Sequence, residues 1–421
     1  MSQLLTAPVS PATVTKLDNG LTFIHQYLPA TPVVVTDVWV RAGASRETED
    51  SYGMAHFLEH MIFKGTDSLP PGVFDYVIEN RGGIANAATS HDYAHYFVTT
   101  AAPYLEDTLP YLAELLLNAA IPDDEFVRER DVVLEEISSC YDDADWIGFQ
   151  ALSESIYQRH SYGRSVLGSK PKLMNQSPEG MRCFHRAHYQ PENMTVVVVG
   201  GMTQEPALEL VNRTFQQFST RSDYPELEVV EEPLLAGVRR QEIRLPRLEQ
   251  ARLMMAWTAP GVERVRSAYG LDLLSVLLTE GRCSRLIREF REEQHLVQAI
   301  SSNFSLQRES SLFTITAWLE PQQLERVEEL IRAHLNELQN TLISPGELAR
   351  CKRFLCNDYA FSTETPTQLA GLYGYYNTIA EVELAMIYPA QIQSFQAEEL
   401  RSLAQEYLSP HSYAVTVLKP C

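Results

Sequence analysis

The stretch Tyr189-Gln190-Pro191-Glu192-Asn193-Met194-Thr195-Val196-Val197-Val198-Val199 returns loosely near the end of the chain. There it reads Tyr407-Leu408-Ser409-Pro410-His411-Ser412-Tyr413-Ala414-Val415-Thr416-Val417, with Pro191 and Pro410 standing 219 residues apart. Ser51-Tyr52-Gly53 returns as Ala268-Tyr269-Gly270 at a spacing of 217, and Glu125 after Pro122 matches Glu347 after Pro345 at 222. Similar spacings in the same order mark an internal duplication. A chain of 421 residues can hold two such domains, each with a sizeable core. The expected division is a first domain over 1–218, a polar linker with Glu and Pro over 219–240, and a homologous second domain over 241–421.

Each copy mixes element types. Val33 to Val40 and Met194 to Val199 are β-branched runs of strand length. Leu105 to Ala119, Gln204 to Phe218 and Gln322 to Leu342 space their apolar residues as helices do. The expected class is α+β: two duplicated domains, each a mainly antiparallel sheet with helices packed mostly on one face.

The chemistry concentrates in His56-Phe57-Leu58-Glu59-His60. Residues four apart share a helix face, so His56 and His60 can offer two imidazole nitrogens to one ion. Glu59 lies on the same side, within reach of a water on that ion. The order H-x-x-E-H is the inverzincin signature. Phe57, Leu58, Met61 and Ile62 supply the apolar side that buries such a helix, and Gly65 is placed to end it. At a spacing of 217, His56, Glu59 and His60 fall on Leu273, Val276 and Leu277. The second copy keeps the helix and lacks the polar residues.

A catalytic zinc normally takes three protein ligands. Glu136 is the best third candidate, on a helix entered through Pro122-Asp123-Asp124-Glu125. Glu129 and Glu136 are seven residues apart and share a face, whereas Glu135 points about a third of a turn away. On spacing alone this run reads equally well as a solvated acidic face.

Leu17-Asp18-Asn19-Gly20-Leu21, Gly43-Ala44, and Gly53-Met54-Ala55 leading through the histidine motif to Phe63-Lys64-Gly65-Thr66 carry a family likeness. So do Gly82-Gly83-Ile84-Ala85-Asn86-Ala87, the helix from Glu129 to Glu136, and His160-Ser161-Tyr162-Gly163-Arg164. Together they resemble the pitrilysin/insulysin metallopeptidases, and within them the two-domain subunits of the mitochondrial processing peptidase type. The resemblance implies one zinc per chain held by His56, His60 and Glu136, with Glu59 as general base and Glu129 as an acidic residue behind the ligands. It implies that the edge strand at Asn86 and Ala87 pairs with the substrate backbone, a grip that suits an extended peptide. It also implies an arginine and a tyrosine from the second domain that hold the substrate. Arg285 matches the first, but Gln298 stands where the tyrosine belongs, without the phenol's reach.

Composition limits the remainder. A formal charge of −21 argues against a nucleic-acid partner, and no apolar run is long enough to cross a bilayer. The six cysteines show no CxxC pair, and a reducing cytoplasm is the simplest home. The expected function is a zinc endopeptidase acting on unfolded or short peptides, as the zinc-bearing subunit of a dimer. A heterodimer with a related subunit that has the Arg/Tyr pair is favoured over a homodimer. The alternative is a non-catalytic structural or peptide-binding subunit.

Overall fold

The computed structural model describes residues 12–421 apart from Glu226 and Leu234. The chain opens with β1 (Thr13–Lys16), β2 (Thr22–Tyr27), β3 (Val33–Val40), α1 (Met54–Ile62), α2 (Val73–Glu79), β4 (Ile84–Thr89) and β5 (Ala94–Ala101). It continues through α3 (Leu105–Asn118), α4 (Asp123–Cys140), α5 (Ala144–Ile156), α6 (Lys170–Asn175), α7 (Pro178–His188), β6 (Met194–Gly200) and α8 (Gln204–Thr214). The second half begins with β7 (Val238–Leu245), β8 (Ala251–Pro260), α9 (Val265–Thr279), β9 (Ala299–Ser305) and β10 (Ser310–Leu319). It ends with α10 (Leu324–Asn340), α11 (Pro345–Phe361), α12 (Pro366–Ile379), α13 (Glu383–Ser394), α14 (Ala397–Tyr407) and β11 (Tyr413–Pro420).

The expected α+β duplication is present. One sheet has the order β1-β2-β6-β3-β5-β4 and the other β7-β11-β8-β10-β9. β6 lies between β2 and β3, parallel to the first and antiparallel to the second. β11 has the same place and the same directions between β7 and β8. The repeated Val-rich stretch is therefore the same central strand built twice. Helices recur in step: α3 begins at 105 and α10 at 324, α7 at 178 and α14 at 397, each pair separated by 219.

Two compact units result, and they depart from the contiguous division expected around 219–240. One comprises the chain up to Ser138, 165–229 and 362–386; the other comprises 139–164, 230–361 and 387–421. The cause lies in the sheets. Every residue of β6 is buried, which requires cover on both faces. α1, α3 and α8 belong to the larger core on one face. The opposite face, carrying Ile24, Val35, Trp39, Val197 and Val199, is covered by Leu369, Ala370 and Tyr373 of α12. Polar bonds fix that helix in place: Tyr373 Oη donates to Gln26 Oε1 at 2.6 Å, and Asn377 Nδ2 to Thr195 Oγ1 at 2.8 Å.

The second unit mirrors this arrangement with the equivalent helix of the first repeat. Leu152 and Ile156 of α5 pack with Met254, Ala256 and Ala414. Arg239 Nη1 donates to Ser155 O at 2.8 Å and Gln241 Nε2 to Ala151 O at 2.5 Å. His160 secures the segment after α5. Its Nδ1 accepts from Tyr162 N at 3.2 Å, so the ring proton sits on Nε2 and is donated to Glu309 Oε2 at 3.1 Å. Local periodicity makes α5 and α12 helical but carries no instruction about which sheet they cover.

At the crossing of α12 over β3, a Cβ added to Gly374 would lie 2.0 Å from Trp39 Nε1. Gly371, one turn earlier on the same helix, has open space around it. Gly374→Ala is expected to destabilise the protein by about 1–3 kcal/mol through overpacking. Gly371→Ala is expected to be neutral or to stabilise by up to about 1 kcal/mol, since it only removes backbone freedom. Denaturant midpoints of the two variants should move in opposite directions or differ widely.

Candidate metal centre

Helix α1 begins without a cap from its own first residue. Its orphan donors are taken instead by Glu47, in the loop after β3: Gly53 N donates to Oε2 at 2.9 Å and Ala55 N to Oε1 at 2.7 Å. Glu47 is 2% exposed. A buried carboxylate accepting two N–H groups at a helix N-terminus suits both the hydrogen-bonding and the dipole requirements of that end. The apolar side of α1, with Phe57, Leu58, Met61 and Ile62, is fully buried in the core.

The polar side of α1 faces α4. His56 Nε2 lies 3.7 Å and His60 Nε2 3.4 Å from Glu136 Oε2. A ligand atom from each of the three residues lies within 4.8 Å of the other two. His60 Nδ1–H donates to Glu129 Oε1 at 3.0 Å, and Lys64 Nζ contacts Glu129 Oε2 at 2.6 Å. With Nδ1 engaged by Glu129, Nε2 is the ring nitrogen of His60 that faces Glu136 and could serve a metal. Burial, aided by the nearby His60, pushes His56 down to about 4, so its imidazole is neutral at neutral pH. Two imidazole lone pairs and a carboxylate oxygen converging on one space form a donor set suited to a divalent cation, and two nitrogens with one oxygen suit zinc. The residues fit the metal that the sequence implies.

Glu59, on the same helix, is largely withdrawn from water, and that desolvation raises its carboxyl above the usual range. Its Oε2 accepts from Thr89 Oγ1 at 2.5 Å. Glu129 is buried and Glu135 is exposed, as the helix geometry of the sequence predicts.

Asn86 and Ala87 lie on β4, which among the described residues pairs only with β5 and forms the edge of its sheet. Ala87 N donates to the Asn86 side chain at 2.9 Å, so that edge N–H already has a partner within its own strand. Arg285 belongs to the other compact unit, where it is 9% exposed. Its Nε and Nη2 donate to the two oxygens of Glu347 at 2.8 and 3.2 Å, and Glu337 lies 3.6 Å from Nη1. The guanidinium holds Glu347 down at about 2. Gln298 is exposed, with its backbone N–H on Trp318 O at 2.8 Å.

Residues 22–170 match the profile of "Insulinase (Peptidase family M16)", and 176–355 that of the "Peptidase M16 inactive domain". The chain belongs to the insulinase family. The zinc protease PqqE of Helicobacter pylori is 29% identical, over 96% of this chain and 92% of its own. An uncharacterized zinc protease of Bacillus subtilis, YmxG, is 26% identical over 96% and 97%. The crystal structure of a protease from Helicobacter pylori superposes with a TM-score of 0.91 at 27% identity, covering 97% of this chain and 99% of that one. The insulinase-family division places the histidine motif in the first matched region and its apolar counterpart, Leu273 to Leu277, in the second. Among the described residues no helix is long and apolar enough to cross a membrane.

Three supporting residues escape a reading of the motifs. Lys64 had a usable signal, standing four residues after His60 on the same face. Glu47 and Thr89 had none, since each reaches α1 from a separate segment. Glu47→Ala would leave two helix N–H groups without their charged acceptor and is expected to cost about 2–4 kcal/mol. Glu47→Gln, which keeps one side-chain acceptor, should lose less in a denaturant titration.

Proposed function

We propose that this chain is a zinc endopeptidase of unfolded or short peptides, with one zinc held by His56, His60 and Glu136. The observation that carries the reading is the convergence of those three side chains within 4.8 Å, with Glu59 on the same helix. Zinc bound there would supply Lewis acidity, polarising a peptide carbonyl and acidifying water. The chain's own groups do the remainder. Glu129 fixes the His60 ring through Nδ1, and Lys64 balances the charge of Glu129. Glu59 takes the proton of the attacking water and passes it to the leaving amide nitrogen. The free edge of β4 receives the substrate as an added strand, which would replace the Asn86 side chain as the partner of Ala87 N.

The chain acts as the zinc-bearing subunit of a dimer, preferably with a related subunit that supplies the Arg/Tyr pair, because Gln298 replaces the tyrosine. The engagement of Arg285 with Glu347 supports an external source for the clamp. Six cysteines without a disulfide suit a cytoplasmic setting. The intact donor set favours this reading over a non-catalytic subunit.

Zinc analysis and a peptide-cleavage screen test it. The protein should hold about one zinc per chain, and His60→Ala should lose most of it. Glu59→Gln should keep zinc and lose cleavage by at least about 100-fold. Glu135→Gln should change neither, whereas Glu136→Gln should weaken zinc binding. Full zinc in a variant lacking both His56 and His60 would overturn the assignment. Full-rate cleavage by the isolated chain, unchanged by a related subunit, would overturn the heterodimer.

A further inference from the structure

Glu59 has a partner that the zinc motif does not contain. Thr89 is the last residue of β4, and its hydroxyl donates to Glu59 Oε2 at 2.5 Å. That length belongs to a charge-assisted O–H···O⁻ bond, among the stronger hydrogen bonds proteins make. A carboxylate on a helix can swing about its side-chain torsions. A donor on a separate rigid element removes that freedom only if the element is itself fixed against the helix.

Both elements are fixed by one loop. Glu47, in that loop, accepts from Gly53 N and Ala55 N at the start of α1. Three residues earlier, Ala44 N donates to Ser90 O at 3.0 Å, and Ser45 N to His91 O at 2.8 Å. These bonds hold the chain just past Thr89. The approach is so close that a Cβ on Gly43 would lie 2.4 Å from both Ser90 O and His91 O. Ser90 N also donates to Tyr93 O at 2.8 Å, closing the turn between β4 and β5. Thr89 and Glu59 are thus positioned from one short segment, although thirty residues separate them in sequence.

We propose that Thr89 is a positioning residue for the reaction: its hydroxyl holds Oε2 of Glu59 so that Oε1 is the atom that receives the proton. This rests on the peptidase reading above. It adds that the strand proposed to bind substrate and the base that acts on it are joined by one hydrogen bond. Filling the edge of β4 therefore steadies the base as well as the peptide.

Thr89→Val keeps the shape and β-branching and removes the donor; Thr89→Ser keeps the donor. In the full-length zinc-loaded protein, Thr89→Val should lower kcat by about 10- to 100-fold, the scale of a misplaced catalytic group. KM should change less than about twofold, and Thr89→Ser should restore kcat to within about threefold of wild type. Zinc content should stay at one per chain in both. A second readout needs no turnover: with Glu59→Gln present, a cleavable peptide should bind with the same Kd whether residue 89 is Thr or Val. In that background Thr89→Val should also cause no further loss of kcat. Wild-type kcat in Thr89→Val, or failure of Ser to rescue, overturns the proposal. So does a weakened Kd that accounts for the whole loss, because Thr89 would then serve the strand and not the base. A zinc-loaded wild-type chain that cleaves nothing, alone or with a related subunit, overturns the peptidase reading itself and this inference with it. That outcome is recognisable before any variant is made.

Discussion

The buried carboxylate of Glu47 is the constraint on which the site depends. It replaces the missing cap of α1 and ties that helix to the end of β3, while the same loop grips the end of β4. Helix, central sheet and edge strand are thereby set in one frame. Without such a tie, two imidazoles on α1 and a carboxylate on α4 would meet only as well as hydrophobic packing allows. Packing of Phe57 on Phe126, with ring centroids 4.6 Å apart, sets the spacing of the two helices. The converging side chains are then steadied by the hydrogen bond from His60 to Glu129.

The parts of this arrangement that were legible in the sequence are those with local periodicity. His56, Glu59 and His60 fall on one helix face because a helix repeats every 3.6 residues, and Glu129 and Glu136 share a face for the same reason. The choice of Glu136 needed a family resemblance, since spacing alone left it level with an ordinary acidic surface. The central strands were legible because continuous Val runs have no other stable fate in a two-sided sheet. What stayed hidden is non-local. Glu47 caps a helix that starts seven residues later, Thr89 meets Glu59 from thirty residues away, and Arg285 gives its charge to Glu347.

Duplication clarifies which polar residues are exceptions. The helix α9 repeats α1 with Leu273, Val276 and Leu277 where the first copy has His56, Glu59 and His60, and all three are buried. Where α9 meets β9, the contact is held by Ser275, Thr279 and Ser302, whose hydroxyls bond one another at 2.7 to 3.0 Å. The second copy thus joins helix to edge strand through a neutral, self-satisfied cluster. The first copy joins them through Thr89 and a carboxylate, which leaves one oxygen of Glu59 for other work.

The exchange of α5 and α12 has a consequence for how the chain is made. The strands of the first sheet are complete once Gly200 has been synthesised, but the helix that covers Trp39 and its neighbours ends at Ile379, 179 residues later. At about 5–20 residues per second, a ribosome needs roughly 9–36 s to cover that distance. During that interval an aromatic and aliphatic sheet face has no cover of its own. The second face of the first sheet can therefore close only after α12 has been made, so this unit cannot finish folding in the order in which its strands appear.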